Sequence, residues 1–168
     1  GVVEVGSLTL RDVLWTMLSK KAQYAFRALT ALVEADMPRL QALDGQCPQD
    51  SAVPVPLNLL VKKHPMSVKF LETIFLELRK AGILGSKKGK GGGYYLMRHP
   101  EDIPLAQVMR VLDGPIAQLP CVSLNFYEKC EGCNEQQCGL HRIMSDVRDA
   151  QLGVLESQSL WDLAWAGR

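Results

Sequence analysis

Residues 66–96, "MSVKFLETIFLELRKAGILGSKKGKGGGYYL", constrain the fold more than any other stretch. Ser67 carries the short hydroxyl that caps a helix, and Leu71, Ile74, Phe75 and Leu78 follow at helical spacing as one apolar stripe. Arg79 and Lys80 fall in the last turn, where positive charge suits the helix dipole, and Gly82 is a natural stop. Two apolar runs then flank a centre of lysine and glycine, which predicts a β-hairpin. Upstream, "VPLNLLVKKHP" predicts a short helix ended by Pro65, since the residue before a proline, His64, is pushed out of helical geometry. Short helix, turn, capped helix and basic hairpin, in that order, predict a winged helix-turn-helix.

Charge supports this order. From Leu60 to Pro100 nine basic residues stand against Glu72 and Glu77, a net of +7 in a chain whose total is +1, so the remainder carries −6. A basic block beside an acidic remainder is a footprint of polyanion binding, although a solvated lysine face has the same composition. The recognition helix of such a fold enters a DNA major groove with its N-terminal residues nearest the bases. The residues off the buried stripe there are Ser67, Lys69, Glu72 and Thr73. Glu72 can accept from a cytosine amino group, or it can pair with Lys69 three positions back. Lys87, Lys88 and Lys90 suit phosphates, and Gly91 and Gly92 let the wing backbone approach a duplex. Ser19, Lys20, Lys21 and Tyr94 complete the expected DNA face. A nucleotide-binding reading of the wing glycines fails, because no helix follows them and the Walker pattern is absent.

The remaining chain is read around that unit. Residues 1–16 read as a tag remnant or N-terminal extension and carry no fold signal. "SKKAQYAFRALTALVEA" predicts an amphipathic helix over 19–35, followed by a loop over 36–54 that contains Pro38, Gly45, Cys47, Pro48 and Pro54. Cys47 reads as an incidental thiol. A short helix is expected over 104–112, ended by Gly114-Pro115. A long helix over about 138–156, with Ile143, Val147, Ala150 and Val154 on one stripe, needs a second copy of the chain or the chain's own first helix to cover it. No run approaches eighteen consecutive apolar residues, so no membrane span is expected. The lack of a signal-peptide pattern points to the reducing cytoplasm.

Four of the five cysteines crowd into "CVSLNFYEKCEGCNEQQCGLH": Cys121, Cys130, Cys133 and Cys138, with His141 beyond, a C-x8-C-x2-C-x4-C-x2-H pattern. Clustered thiols in a reducing compartment favour a metal or redox chemistry over a disulfide. Thiolates with one histidine suit tetrahedral zinc and iron–sulfur clusters alike, and spacing alone favours zinc. A thiol oxidoreductase at Cys130-x-x-Cys133 lacks the βαβ context it needs, and the three histidines stand in no nucleophile motif, so the chain does not read as an enzyme and no small-molecule substrate is identified. A metal-binding protein-interaction module is the remaining rival.

"SKKAQYAFRAL", the 66–96 stretch and the cysteine loop with "CGLH", in this order, resemble the Rrf-two family of bacterial winged-helix regulators, of the IscR, NsrR and CymR types, over residues 17–163. The resemblance implies a mainly α fold: a winged helix-turn-helix over 17–100 with a small β-hairpin wing, then over 101–168 a helix, a sensor loop (119–141) and a long C-terminal dimerisation helix. It implies a homodimer on a double-stranded DNA operator, most simply a repressor. By resemblance Glu72 takes a base-reading position, and Lys88 a wing position where arginine is common. It also implies an iron–sulfur cluster, [2Fe-2S] or [4Fe-4S], held by three cysteines and one further ligand, with Cys138 and His141 matching the C-x-x-H step of the IscR type. Five candidates remain for four places, and zinc or a metal-free thiol sensor stays open beside the cluster.

Overall fold

The computed structural model describes residues 18–42, 52–63 and 66–166. Residues 1–17, the stretch 43–51 of the expected loop with Cys47, His64 and Pro65, and residues 167–168 lie outside them. Helix α1 runs Lys20–Ala42, longer than the sequence suggests. The sequence reading stops this helix at 35 because of Pro38, yet Met37 and Leu40 continue the buried stripe and their burial outweighs one lost N–H bond. Ser19 starts it, its Oγ accepting from the Ala22 N–H at 3.0 Å. Helix α2 is Leu57–Lys63 and α3 is Val68–Lys80.

Both ends of α3 are built as its sequence dictates. Ser67 Oγ accepts from the Phe70 N–H at 3.4 Å. At the other end Gly82 turns to φ 74, its N–H reaching the Arg79 carbonyl at 3.0 Å and the Ile83 N–H reaching Leu78 at 3.0 Å. This is a Schellman closure, with Ile83 and Leu78 both fully buried across it. Strands β1 (Leu84–Lys87) and β2 (Gly93–Leu96) pair antiparallel, Leu84 opposite Leu96 and Lys87 opposite Gly93. Val55 adds a bridge to the outer edge of β2, with Val55–Tyr94 backbone bonds of 2.8 and 3.0 Å. That approach needs a glycine at 93, where a Cβ would lie 2.3 Å from the Val55 carbonyl oxygen.

A 3-10 turn at Pro100–Asp102 leads into α4 (Leu105–Asp113). Two further 3-10 turns, Pro120–Val122 and Glu135–Gln137, bracket the cysteine loop, and α5 (Gly139–Ser157) follows with Cys138 as its N-cap. The short segment expected after α5 is a helix, α6 (Leu160–Ala166). Ser159 caps α6 by accepting from the Asp162 N–H at 3.2 Å while Asp162 Oδ2 accepts from the Ser159 N–H at 2.8 Å.

One core joins these parts. Ala25, Leu29 and Leu32 of α1 meet Leu71, Ile74, Phe75 and Leu78 of α3, with Leu84, Leu96, Val108 and Leu160 around them. The covering of α1 differs from the alternative in which the long helix packs on it: α6 lies against α1, while α5 lies against α4 and the Pro120–Val122 turn. Arg110–Glu156 (2.7 Å) and the Arg148 bond to the Val122 carbonyl (2.6 Å) fix α5 there. Only Leu152 of α5 is buried, and Leu140, Ile143 and Val154 are each more than half exposed. Among the described residues no helix is long and apolar enough to cross a membrane.

Candidate functional site

Two regions carry candidate residues. On α3, burial of Leu71, Ile74, Phe75 and Leu78 turns the opposite face outward, so Lys69, Glu72 and Thr73 stand exposed at neighbouring helical positions. Thr73 Oγ1 donates to the Lys69 carbonyl at 3.0 Å. No ion pair joins Glu72 to Lys69, which leaves the Glu72 carboxylate directed at solvent. The same face carries Val68 and Leu76, each nearly half exposed. Neither stands out in sequence, since an apolar residue in an apolar-rich helix reads as core; the signal is that Leu76 falls four residues from Glu72 and off the buried stripe.

Across the hairpin, Lys87, Lys88, Lys90 and Gly91 are exposed, with Gly92 half-buried and its N–H on the Gly89 carbonyl at 3.0 Å. Tyr94 is half-buried beside them. Its ring packs edge-on against Phe75, with centroids 5.0 Å apart. At the start of α1, Lys20 is exposed, whereas Lys21 pairs with Glu77 at 3.2 Å. Ser19 is committed twice over, its hydroxyl to the Asp113 carboxylate and its N–H to the same group at 3.0 Å.

The cysteine loop folds around a carboxylate that sequence reasoning missed. Glu135 Oε1 accepts from the Cys130 N–H at 3.1 Å, and the Tyr127 hydroxyl donates to Glu135 at 3.0 and 3.1 Å. The Cys130 N–H, then the tyrosine hydroxyl, hold the Glu135 carboxyl below the usual carboxylate range against the opposing effect of desolvation. Cys121 is buried on its 3-10 turn, and Cys121, Glu135 and His141 bring one ligand atom each to within 4.8 Å of one another. Nδ1 of His141 is buried with no hydrogen-bond partner among the described residues.

The other three cysteines of the loop are free and half-buried. The Cys138 sulfur accepts from the His141 N–H at 3.4 Å as the cap of α5. Cys133 hydrogen-bonds to Cys130, which with burial and the neighbouring sulfurs pushes the Cys133 thiol up to about 12. Burial first, then the Glu135 charge, also raises the Cys121 thiol. Sulfur, imidazole and carboxylate donors with an orphaned, buried ring nitrogen fit a thiophilic metal such as iron or zinc. The only sequence signal for Glu135 is a carboxylate inside a cysteine loop, and nothing in the spacing says that it faces His141.

A capped helix at the surface, a basic wing beside it and a donor pocket at the foot of a long helix define a winged-helix, DNA-binding transcriptional regulator. The Rrf2 model, described as iron-dependent transcriptional regulator, matches residues 18–165, and the chain belongs to this family. It is 32% identical over 152 residues to an Rrf2-like HTH-type transcriptional regulator of Rhodobacter capsulatus, covering 90% of this chain and 94% of that one. It is 34% identical over 146 residues to the regulator IscR of Photorhabdus laumondii, covering 87% and 77%. Among solved structures, CymR, the global cysteine regulator of B. subtilis, superposes with a TM-score of 0.65 at 27% identity, covering 89% of this chain and 96% of that one. IscR of T. potens shares the fold, with a TM-score of 0.65 at 23% identity over 93% and 91%.

Proposed function

We propose that this regulator binds an operator as a cytoplasmic homodimer, probing bases with α3 and phosphates with the wing, and that the cysteine loop controls its affinity through an iron–sulfur cluster. The observation that carries the reading is the position of the donor pocket. It includes the first turn of α5, a helix with Leu140, Ile143 and Val154 exposed among the described residues. Residues 17–100 then form the reader and 101–168 the sensor and dimerisation part, with α6 returning to the reader's core.

On the DNA side Glu72 accepts from a cytosine amino group, Lys69 meets phosphate or guanine, and Val68 and Leu76 supply apolar contact to thymine methyls. Lys20, Lys87, Lys88 and Lys90 carry salt-dependent phosphate affinity, with Gly91 at the wing tip. Ser19, Lys21 and Tyr94 position this face from behind through Asp113, Glu77 and Phe75.

On the sensor side Cys121 and His141 hold the cluster, with Glu135, Cys138 and Cys130 in reach. When bound, the cluster supplies a redox-active, oxygen-labile centre whose occupancy reports iron or redox status. Tyr127 and the Cys130 N–H orient Glu135, the cap at Cys138 couples the loop to α5, and Arg148 couples α5 to the Cys121 turn. Loading therefore changes affinity only as far as it favours one arrangement of α5 over another. Repression is the simplest output. The test is anaerobic reconstitution followed by visible absorption and operator titration. Colourless protein with four free thiols and unchanged affinity would rule the cluster out. In that outcome the hydrogen-bonded Cys130–Cys133 pair favours a metal-free thiol sensor, and zinc uptake at intact thiols would favour a zinc site.

A further inference from the structure

We propose that the Glu135 carboxylate is itself a metal ligand, standing beside Cys121 and His141 in the place that the spacing offers to another cysteine. The assignment rests on the reading of the loop as metal-binding and names a donor that the cysteine pattern does not contain. Three successive elements of the loop deliver the three donors: the Pro120–Val122 turn, the Glu135–Gln137 turn and the first turn of α5. Their ligand atoms lie within 4.8 Å of one another, the one such group among the described residues.

Glu135 also has the supports that a ligating carboxylate needs. The Cys130 N–H and the Tyr127 hydroxyl fix its orientation, and a carboxylate with about four lone-pair sites keeps capacity for a metal beyond these bonds. Opposite it, the buried Nδ1 of His141 has no hydrogen-bond partner among the described residues. Of the four thiols of the loop, all free, only Cys121 falls within this donor group among the described residues. Oxygen ligation makes a cluster easier to lose than an all-sulfur shell does, which suits a sensor that must release it.

The test compares full-length wild type with E135Q, E135C and C133A after anaerobic reconstitution with iron and sulfide. Mössbauer and visible circular dichroism spectra report coordination, and iron release to a chelator reports retention. E135Q keeps an acceptor for the Cys130 N–H but loses the anionic ligand, so iron is expected to leave about 10–100-fold faster. E135C is expected to restore retention and move one iron site towards sulfur coordination, while C133A keeps the wild-type spectrum. A loaded E135Q with wild-type spectra and wild-type iron release overturns the assignment. Should E135Q fail to fold by far-ultraviolet circular dichroism, E135C decides: spectra identical to wild type overturn ligation, and a shifted iron site supports it. Wild type that takes up neither iron nor sulfide overturns the metal-loop reading as well, an outcome distinct from the first.

Discussion

In the operator complex proposed above, Glu72 and Lys88 would divide the work of recognition between information and affinity. Glu72 is exposed on the outer face of α3 with no ion pair to Lys69, so its carboxylate is available to a base edge. Glu72→Ala is expected to cost about 1–3 kcal/mol of discrimination at one base pair and to leave non-specific binding unchanged, measured by titration against single-substituted operators. Lys88→Ala should weaken binding to all sequences alike and lower the salt slope by about 1, measured from affinity at several salt concentrations. In the loop, the sign of the thiol shifts sets a pH dependence. A Cys133 thiol raised from 9.0 to about 12 carries less thiolate at any pH below that value than an ordinary cysteine does. Metal-free protein at pH 8 should therefore alkylate more slowly at Cys133 than a free thiol, gaining rate as pH approaches 12, as mass spectrometry of iodoacetamide adducts would show.

At the scale of elements, the wing depends on backbone proximity more than on side chains. Val55 bonds to Tyr94 on one side of β2 while β1 pairs on the other, and Gly93 leaves the gap that admits Val55. Gly93→Ala would place a Cβ 2.3 Å from a carbonyl oxygen and should destabilise the protein by about 2 kcal/mol or more, read as a lowered midpoint in urea. This bridge was not legible in the sequence, because one bridging residue has no periodicity. The ends of α3 were legible, since capping is local chemistry: Ser67 and Gly82 do what their side chains allow. The end of α1 was not, because Pro38 signals a stop locally while Met37 and Leu40 are held by a core visible only in three dimensions.

For the whole molecule, α5 is the long helix that the described residues leave most exposed on its apolar face. Ile143 and Val154 are 51% and 61% exposed on a helix with one buried residue. Exposed apolar residues of this kind mark an interaction site, and in the homodimer proposed above a second copy would cover them with the same patch on both partners. Ile143→Asp with Val154→Asp should convert a dimer to a monomer in sedimentation analysis. It should also reduce operator affinity steeply, because two linked half-site contacts become independent. The fold of the monomer should survive, since neither side chain contributes to the core.

The chain order determined by itself the winged helix-turn-helix, the basic wing and the presence of a sulfur-rich loop before a long amphipathic helix. These are local properties, set by caps, periodicity and residue type within a few turns. Tertiary structure alone decided that α6 rather than α5 covers α1, and that the half-buried Ser19, Lys21 and Tyr94 meet partners on other elements. It also decided that Glu135 faces Cys121 and His141. Each of these depends on which distant segments meet, and packing selects that through the burial of a shared core, which no spacing along the chain records.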